Sequence, residues 1–353
     1  MNSDQERKLR VVLDYCIGWT AAFLFLSIVR GVGTEEIGSL KFDLQSSLQI
    51  ALILGPIMGL VSGLSELWME EKVYRRISIG RFLLLRLIYA AFFLVALVIA
   101  AYWVYQLFFG TDIDIISFAI DDGSFAIYFY VLSVDLFLNT VRQVSLMLGR
   151  GNLSKLLTGR FYHPREEDRI FMFIDLQSST ELAEKLGHIK YSLLIQDCFD
   201  DLGVVAADGA EVYQYVGDEA VLTWTWVEGV AKEGCINAFY RFKNQIQRRH
   251  DHYKEHYDVQ PFFKAGIHAG TVTVTEIGKY KKEIAYHGDP INTAARIQGQ
   301  CNVLGEELLI SAYLRDHIQS HQYKLTSVGS ILLKGKQETV QIFSVRRPSS
   351  PPF

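Results

Sequence analysis

The chain has 353 residues, of which 50% are hydrophobic, and a formal net charge of −4 at pH 7. This near-neutral balance argues against a nucleic-acid-binding protein, and four cysteines without paired spacing argue against a disulfide or zinc framework. We therefore expect no nucleic-acid partner. The average composition hides two halves, because apolar residues form long blocks before about residue 150 and alternate with charges after it.

Four apolar blocks in the first half are long enough to cross a bilayer, which needs roughly 20 apolar residues. They occupy residues 11–29, 48–67, 87–109 and 125–146. The fourth block carries Asp135 near its middle. A carboxylate at such a depth is either a functional residue or a structural hydrogen-bond partner between spans, and both interpretations stay open. The first block lacks a small-residue cleavage site, so it does not read as a cleaved signal peptide.

Basic residues flank the apolar blocks asymmetrically. The segment before the first block, the loop between the second and third, and the segment after the fourth are basic, whereas the other two loops are acidic or nearly neutral. By the positive-inside rule, both termini are predicted to face the cytoplasm. We expect a multi-pass protein of the plasma (inner) membrane. The basic residues are Arg7, Lys8, Arg10, Lys72, Arg75, Arg76, Arg81, Arg142, Arg150, Lys155, Arg160 and Arg165.

The composition predicts a membrane domain at 1–148, a juxtamembrane linker at 149–168, a cytoplasmic domain at 169–346 and a short tail at 347–353. The linker starts with a helical pattern that Pro164 stops. Such a connector either transmits a change from the membrane or acts as a passive tether.

The cytoplasmic half alternates strands and helices in the order strand, helix, strand, strand, helix, strand. This is the βαββαβ order of an α+β ferredoxin-like core. The predicted elements of this core are strands 169–176, 211–216, 220–226 and 262–268 and helices 180–206 and 228–257. Further predicted elements are strands 272–277, 283–287, 308–311, 323–327, 331–333 and 340–345 and a helix from 290 to about 300.

Two aspartates end strand-like segments in this half. Asp175 ends an apolar strand and precedes a small polar loop that opens a helix, and Asp218 lies at a Gly-Asp turn between two strands. In isolation, the second is usually only a turn residue. Hard cations such as Mg²⁺ prefer carboxylate oxygens and substrate phosphates. Two carboxylates on adjacent strands beside the N–H groups of a helix start therefore predict a metal–triphosphate site.

A third motif, Asn292-Thr293-Ala294-Ala295-Arg296, lies on a predicted helix. Asn292 and Arg296 are four residues apart, so they project from the same helix face. Taken alone, such a pair usually lies on the solvent-exposed face of a helix. Together with the two aspartates, it indicates a site for a phosphorylated substrate.

At these motifs the chain resembles the catalytic domain of the class III nucleotide cyclases, the adenylyl and guanylyl cyclases. The resemblance covers roughly residues 169–345, about half the chain. The matching segments, in chain order, are Phe173-Ile174-Asp175-Leu176 with Thr180, Gly217-Asp218, Gly266-Ile267-His268-Ala269-Gly270, Gly288-Asp289-Pro290-Ile291-Asn292-Thr293-Ala294-Ala295-Arg296 and Lys334-Gly335-Lys336.

The resemblance implies a reaction in which the ribose 3′-OH attacks the α-phosphate and expels pyrophosphate. It implies that Asp175 and Asp218 hold two Mg²⁺ (or Mn²⁺) ions per site. Asn292 matches the residue that orients the ribose, and Arg296 matches the cation that stabilises charge developing on the α-phosphate.

The resemblance also implies substrate-binding residues. Lys334 matches the family's triphosphate lysine, with Lys336 as the alternative, and Thr180 belongs to the first phosphate-side motif. The two purine-reading positions hold Gln214 and Ala285, which depart from the usual residues. An amide both donates and accepts hydrogen bonds, and alanine offers no polar group. We expect ATP as the substrate, with GTP as the alternative.

In the resembled family, the metal aspartates of one protomer face the Asn, Arg and Lys of the other. This chain carries both sets, so a symmetric homodimer with two sites is expected. The sequence thus predicts a membrane-bound, homodimeric cyclase that forms cyclic AMP. The alternatives are a guanylyl cyclase and a non-catalytic nucleotide-binding signalling domain. A diguanylate-type cyclase is disfavoured, because Gly217-Asp218-Glu219-Ala220 is not its Gly-Gly-Asp/Glu-Glu-Phe turn.

Overall fold

The computed structural model describes residues 3–31, 43–72, 79–110, 113–149, 152–230, 233–318, 322–332 and 339–348. The chain divides into two compact units, an N-terminal unit of Met1–Met147 and a C-terminal unit of Leu148–Phe353. Each unit is described separately.

The N-terminal unit consists of four long helices and one short helix. They are α1 (Ser3–Gly31), α2 (Leu44–Lys72), α3 (Ile79–Phe109), α4 (Ile115–Ala119) and α5 (Asp122–Leu148). The long helices contain segments that are long and apolar enough to cross a membrane, at Arg7–Gly31, Leu44–Glu70, Leu87–Phe109 and Asp122–Leu148. The prediction of four long apolar helices is confirmed.

Helix α2 packs against α1 through three glycines spaced four residues apart, Gly55, Gly59 and Gly63. A Cβ atom added to Gly59 would lie 2.3 Å from the Cα of Cys16, and one added to Gly55 would lie 2.5 Å from the Cα of Thr20. Only a residue without a side chain fits at such distances from a neighbouring backbone. Small residues at this spacing allow membrane helices to approach closely.

Replacing Gly59 by isoleucine is therefore expected to force α1 and α2 apart and to destabilise the N-terminal unit by about 3 kcal/mol, the upper part of the range for overpacking. Thermal unfolding of the full chain in nanodiscs measures the effect. Leu60→Ile is the matched control, because Leu60 is 48% exposed on the same helix. Equal unfolding temperatures for the two variants would contradict the close packing of these helices.

A polar network joins the four long helices. The carboxylate of Asp135 on α5 is buried and accepts hydrogen bonds from Ser62 Oγ on α2 (3.1 Å) and Tyr89 OH on α3 (3.3 Å). Asn139, one turn further along α5, donates from Nδ2 to Asp135 Oδ2 at 2.9 Å and accepts from Tyr15 OH on α1 at 2.6 Å. Because several donors satisfy the buried carboxylate, the network supports the structural role of Asp135.

Among the described residues of the C-terminal unit, eight strands form one mixed sheet. They are β1 (Arg165–Leu176), β2 (Glu211–Val216), β3 (Glu219–Thr225), β4 (Phe263–Ile277), β5 (Glu283–His287), β6 (Leu308–Ser311), β7 (Lys324–Leu332) and β8 (Thr339–Arg346). Their order is β2-β3-β1-β4-β6-β8-β7, and β5 also pairs with β4. The β4–β6 pair is parallel and the other pairs are antiparallel.

Helices cover both faces of this sheet. The helices of the C-terminal unit are α6 (Asn152–Leu157), α7 (Ser179–Leu202), a 3₁₀ helix (Gly203–Asp208), α8 (Trp226–Val230), α9 (Gly234–Arg248), α10 (His250–Tyr257), α11 (Asp289–Leu304) and α12 (Ala312–Arg315). Alternate residues of β1 serve opposite faces, as strand geometry requires. Ile170 and Met172 join the core with α7 and α9, whereas Phe171 packs in a cluster with Ala294 of α11.

The C-terminal unit begins earlier along the chain than predicted. Phe161 is buried in the cluster around Phe171, and the backbone N–H of Glu276 donates to the carbonyl of Phe161 at 3.0 Å. β1 then starts at Arg165, opposite Val274 of β4, so the predicted start at residue 169 is wrong. The sequence did not indicate this start, because the first residues of β1 are charged and exposed and therefore show no apolar pattern.

The predicted strands 262–268 and 272–277 are one continuous strand, β4. The sequence suggested a break at the glycines, but these serve helix packing. A Cβ atom at Gly266 would lie 2.1 Å from the backbone nitrogen of Gln298, and one at Gly270 would lie 2.7 Å from Pro290 Cγ. Both contacts are with α11, which therefore crosses β4 at backbone distance.

Three other predicted boundaries are also wrong. The predicted helix 228–257 is divided into α8, α9 and α10, with Glu233 in a left-handed conformation (φ 58°) before α9. The predicted helix 180–206 ends as an α-helix at Leu202 and continues as the 3₁₀ helix. The predicted strands 323–327 and 331–333 form the single strand β7, with an irregular register between Ser327 and Gly329.

Candidate active site

Three carboxylates meet where β1 ends beside the β2–β3 hairpin. The register of β1 and β3 places Asp175 opposite Glu219. Asp218 precedes Glu219 in the hairpin turn, next to Gly217, whose φ of 64° is in the left-handed region that glycine favours. On the other side of β1, Lys264 of β4 is opposite Asp175. The predicted pair Asp175 and Asp218 is thus brought together.

The electrostatics of this group fit a divalent cation. Burial, together with the neighbouring Asp218 carboxylate, raises the pKa of Asp175 to about 6. Burial and the two aspartates also raise the pKa of Glu219 to about 7. Both shifts reflect partial desolvation of the carboxylates and, in addition, repulsion between their negative charges. A bound Mg²⁺ or Mn²⁺ would relieve this repulsion.

The donor set is that of an open site. In the described parts of the chain, no group of three or more His, Cys, Asp or Glu side chains is arranged to hold a metal ion by itself. Mg²⁺ is commonly held by one or two carboxylates, with waters and substrate phosphates as its other ligands. Two aspartates therefore suffice if the substrate is a phosphate ester.

Gln298 is a site residue that the sequence did not reveal. Its Nε2 donates to Asp175 Oδ2 at 3.3 Å. The residue reaches this carboxylate because α11 crosses β4 at backbone distance over Gly266. The sequence feature that could have suggested a role for Gln298 is its position two residues after Arg296 on the same predicted helix.

The loop after Asp175 leads into the start of α7. Ser178 adopts a left-handed conformation (φ 56°), and the backbone N–H of Gln177 donates to the carbonyl of Phe262 at 2.8 Å. Thr180 lies exposed in the first turn of α7. The first N–H groups of a helix lack intrahelical partners and favour anions, so this segment suits phosphate oxygens.

Asn292 and Arg296 lie one turn apart on α11, the first exposed and the second half-buried. The predicted helix is therefore present, and it spans Asp289–Leu304. Within the described residues, no hydrogen bond or ion pair joins either side chain to Asp175 or Asp218.

The two purine-reading candidates lie on β2 and β5. Gln214 is exposed on β2, opposite Val221 of β3, and Ala285 is buried on β5, opposite Thr275 of β4. The residues next to them, Tyr213 and Tyr286, have ring centroids 4.9 Å apart, so β2 and β5 approach each other across one face of the curved sheet. Lys334 and Lys336 lie outside the described residues.

Comparison with known proteins identifies the family of the C-terminal unit. The profile of the family described as adenylate and guanylate cyclase catalytic domain matches residues 161–345. "Adenylate cyclase 2" of Rhizobium meliloti (strain 1021) is 35% identical over 211 residues, which cover 58% of this chain and 57% of that relative. The match thus spans little more than half of the relative's length.

Two solved structures of a bacterial light-regulated adenylyl cyclase have a similar fold. One aligns with a TM-score of 0.53 at 18% identity, covering 62% of this chain and 66% of that chain. The other aligns with a TM-score of 0.52 at 19% identity, covering 61% and 64% respectively. The resemblance found in the sequence is confirmed by the profile, whose match exceeds half of the chain. Through residues 161–345, this protein belongs to the family of adenylate and guanylate cyclase catalytic domains.

Proposed function

We propose that the protein is a membrane-bound cyclase that converts ATP to 3′,5′-cyclic AMP and pyrophosphate. The observation that carries the proposal is the Asp175–Asp218 pair, whose mutual repulsion and partial burial suit a metal-bound triphosphate. Family membership and the name of the Rhizobium meliloti relative support the same reaction. Retention of both aspartates, Asn292 and Arg296 argues against a non-catalytic signalling domain.

Each group of residues has a distinct role in this mechanism. Asp175 and Asp218 would hold two Mg²⁺ or Mn²⁺ ions, which would supply positive charge beside the triphosphate and favour ionisation of the ribose 3′-OH. Gln298 fixes the orientation of the Asp175 carboxylate through its hydrogen bond. Asn292 orients the ribose, and Arg296 stabilises the charge that develops on the α-phosphate.

The remaining contacts bind the substrate. The N-terminal turn of α7, with Thr180, receives phosphate oxygens. Lys334, or alternatively Lys336, binds the triphosphate. Gln214 presents an amide to the purine, whereas Ala285 is buried and contributes shape alone. An amide suits adenine and guanine equally, so the base preference needs a measurement.

The active form in this proposal is a symmetric homodimer. The aspartates of one protomer, with its own Gln298, and the Asn292 and Arg296 side chains of its partner build one site, and the symmetry operation builds the second.

The four long helices form the membrane anchor, with both termini in the cytoplasm. Many large apolar side chains point outward from them, such as Phe92, Leu107 and Phe129, which are 72%, 78% and 77% exposed. Exposed apolar surface of this extent favours a lipid environment. In the C-terminal unit, we assign β1–β4 with α7 and α9 to a ferredoxin-like core, since antiparallel strands in the order β2-β3-β1-β4 have that arrangement.

A product assay tests the proposal. We expect the full chain in nanodiscs to form cyclic AMP from ATP with Mg²⁺ or Mn²⁺, as measured by mass spectrometry. Parallel reactions with GTP distinguish the alternative, because faster formation of cyclic GMP would identify a guanylyl cyclase. Binding of either nucleotide without any cyclic product would support a signalling domain and contradict the proposed reaction.

The pKa shifts predict how pH affects stability. The raised pKa values of Asp175 (about 6) and Glu219 (about 7) mean that the folded state binds more protons than the unfolded state, whose ordinary values are 3.8 and 4.5. In EDTA, the C-terminal unit should therefore lose stability as pH rises from about 4 to 7. Mg²⁺ should restore more stability at pH 8 than at pH 5, because protons compete with the metal.

Thermal unfolding of the full chain across this pH range, with and without Mg²⁺, checks this prediction. The variant Asp175→Asn should flatten the pH dependence in EDTA and reduce the effect of Mg²⁺. Asp168→Asn is the matched control, because Asp168 is exposed on the same strand. An equal Mg²⁺ effect in wild type and Asp175→Asn would show that the metal binds elsewhere.

A further inference from the structure

The N-terminal unit contains a cavity of about 140 Å³ at the end where α1 finishes and α2 begins. All five helices of the unit contribute to its wall. The lining includes Phe23 of α1, Ala51 of α2, Ala101 of α3, Phe118 of α4 and Tyr128 of α5. In the proposed topology, this is the end farther from the cytoplasm.

The cavity begins where the close packing of α1 and α2 stops. Gly63, Gly59 and Gly55 hold the two backbones together, and Ala51 is the next position on the same face of α2. From Ala51 onward, the space between the helices is lined by side chains. Pro56 lies within α2 near this transition, where it removes one helical hydrogen bond.

Ordered aromatic contacts build the far wall. Helix α4 begins at a cap in which the Asp114 carboxylate accepts hydrogen bonds from the backbone N–H groups of Ile116 and Ser117. This helix carries Phe118, which is 9% exposed and lies with its ring 5.4 Å from that of Tyr105. The wall is therefore a packed part of the unit.

Three polar side chains of the wall direct their hydrogens to carbonyl groups of the protein, and the lining also includes Arg30 and Ser47. Ser27 Oγ donates to the carbonyl of Phe23 at 2.9 Å, Ser124 Oγ to that of Phe118 at 3.0 Å, and Tyr128 OH to that of Ala119 at 2.7 Å. A water molecule needs two to four polar partners to stay in a buried place. The cavity thus offers its interior mainly aliphatic and aromatic surface.

We propose that this cavity is a binding site for an uncharged apolar molecule, or apolar group, about the size of one aromatic ring. An engineered apolar cavity of about 150 Å³ in another protein stays dry and binds benzene. The space in this protein is partly open, so an apolar occupant can enter it and cover its apolar wall, which is favourable because apolar surface is removed from water. The proposal concerns the N-terminal unit alone and does not depend on the proposed cyclase reaction.

Photolabelling of the full chain in nanodiscs tests the proposal. The probe is a phenyl-diazirine, and excess non-photoreactive phenyl analogue defines the saturable part of the labelling. We expect saturable labelling, mapped by mass spectrometry to cavity residues such as Phe118 and Tyr128. Labelling that is not saturable and falls on lipid-facing side chains would show partition into the bilayer only, and would overturn the site.

Two alanines on α3 provide matched variants. Ala101→Phe fills the cavity and should reduce saturable labelling by at least about fivefold. Ala91→Phe adds the same ring on the exposed side of α3 and should leave labelling unchanged. Ala101→Leu, a smaller filling, covers the case in which the phenylalanine variant does not fold. Wild-type labelling in a folded Ala101 variant would overturn the proposal.

Discussion

Asp175→Asn and Asp218→Asn are each expected to lower the rate of cyclic nucleotide formation by at least about 10³-fold, since a catalytic metal stabilises transition-state charge by several kcal/mol. Asparagine keeps the size of the side chain and removes the charge that binds the cation. The two residues are adjacent at the β1–β3 edge, so either change disrupts the same site. Initial rates of the full chain in nanodiscs, with saturating ATP and Mn²⁺, give the measurement.

The control for this loss is Asp168→Asn on the same strand. Asp168 accepts a hydrogen bond from Thr271 Oγ1 at 2.6 Å, and an asparagine oxygen can accept the same bond. This variant should retain the wild-type rate. A full rate in either Asp175→Asn or Asp218→Asn would contradict the role of these aspartates as metal ligands.

Mixing two inactive chains is expected to restore activity. In a heterodimer of Asp175→Asn and Arg296→Ala chains, one site combines intact aspartates from the second chain with an intact Arg296 from the first. Random pairing at a 1:1 ratio should yield about a quarter of the wild-type rate, because half of the dimers carry one of two sites. The rate of the co-reconstituted mixture gives the measurement, and heterodimers isolated by two different tags should show about half of the wild-type rate.

A second mixture makes this result specific. Asp175→Asn and Asp218→Asn change the same half of the site, so their heterodimer contains no intact site and should stay inactive. Recovery of activity in this control would contradict the assignment of both aspartates to the same half of the site. If heterodimers of Asp175→Asn and Arg296→Ala form and remain inactive, each site is completed within one chain.

The sequence predicted those features that depend on local pattern. The four long apolar helices follow from the length and hydropathy of their segments, and β5 and β6 were predicted at their observed bounds. The pairing of Asp175 with Asp218 was also predictable, because both residues end neighbouring strand patterns. These are properties of short segments, in which burial and periodicity determine the structure.

Features that depend on distant residues were not predictable. The glycines at 266 and 270 suggested a break in β4, but their reason is the approach of α11. Gln298 becomes a partner of Asp175 for the same reason. The pKa of Glu219 is raised by its burial and then by the two aspartates that strand pairing places beside it. The glycines of α2 at 55, 59 and 63 are explained only by the close approach of α1, which lies far from them in the sequence.

The polar network around Asp135 limits how the four long helices can move. Sliding one helix past another by a turn displaces its side chains by about 5.4 Å, which breaks hydrogen bonds of 2.6–3.3 Å. Each donor lost from a buried polar group costs about 1–3 kcal/mol. These helices are therefore expected to shift as one body instead of sliding past one another.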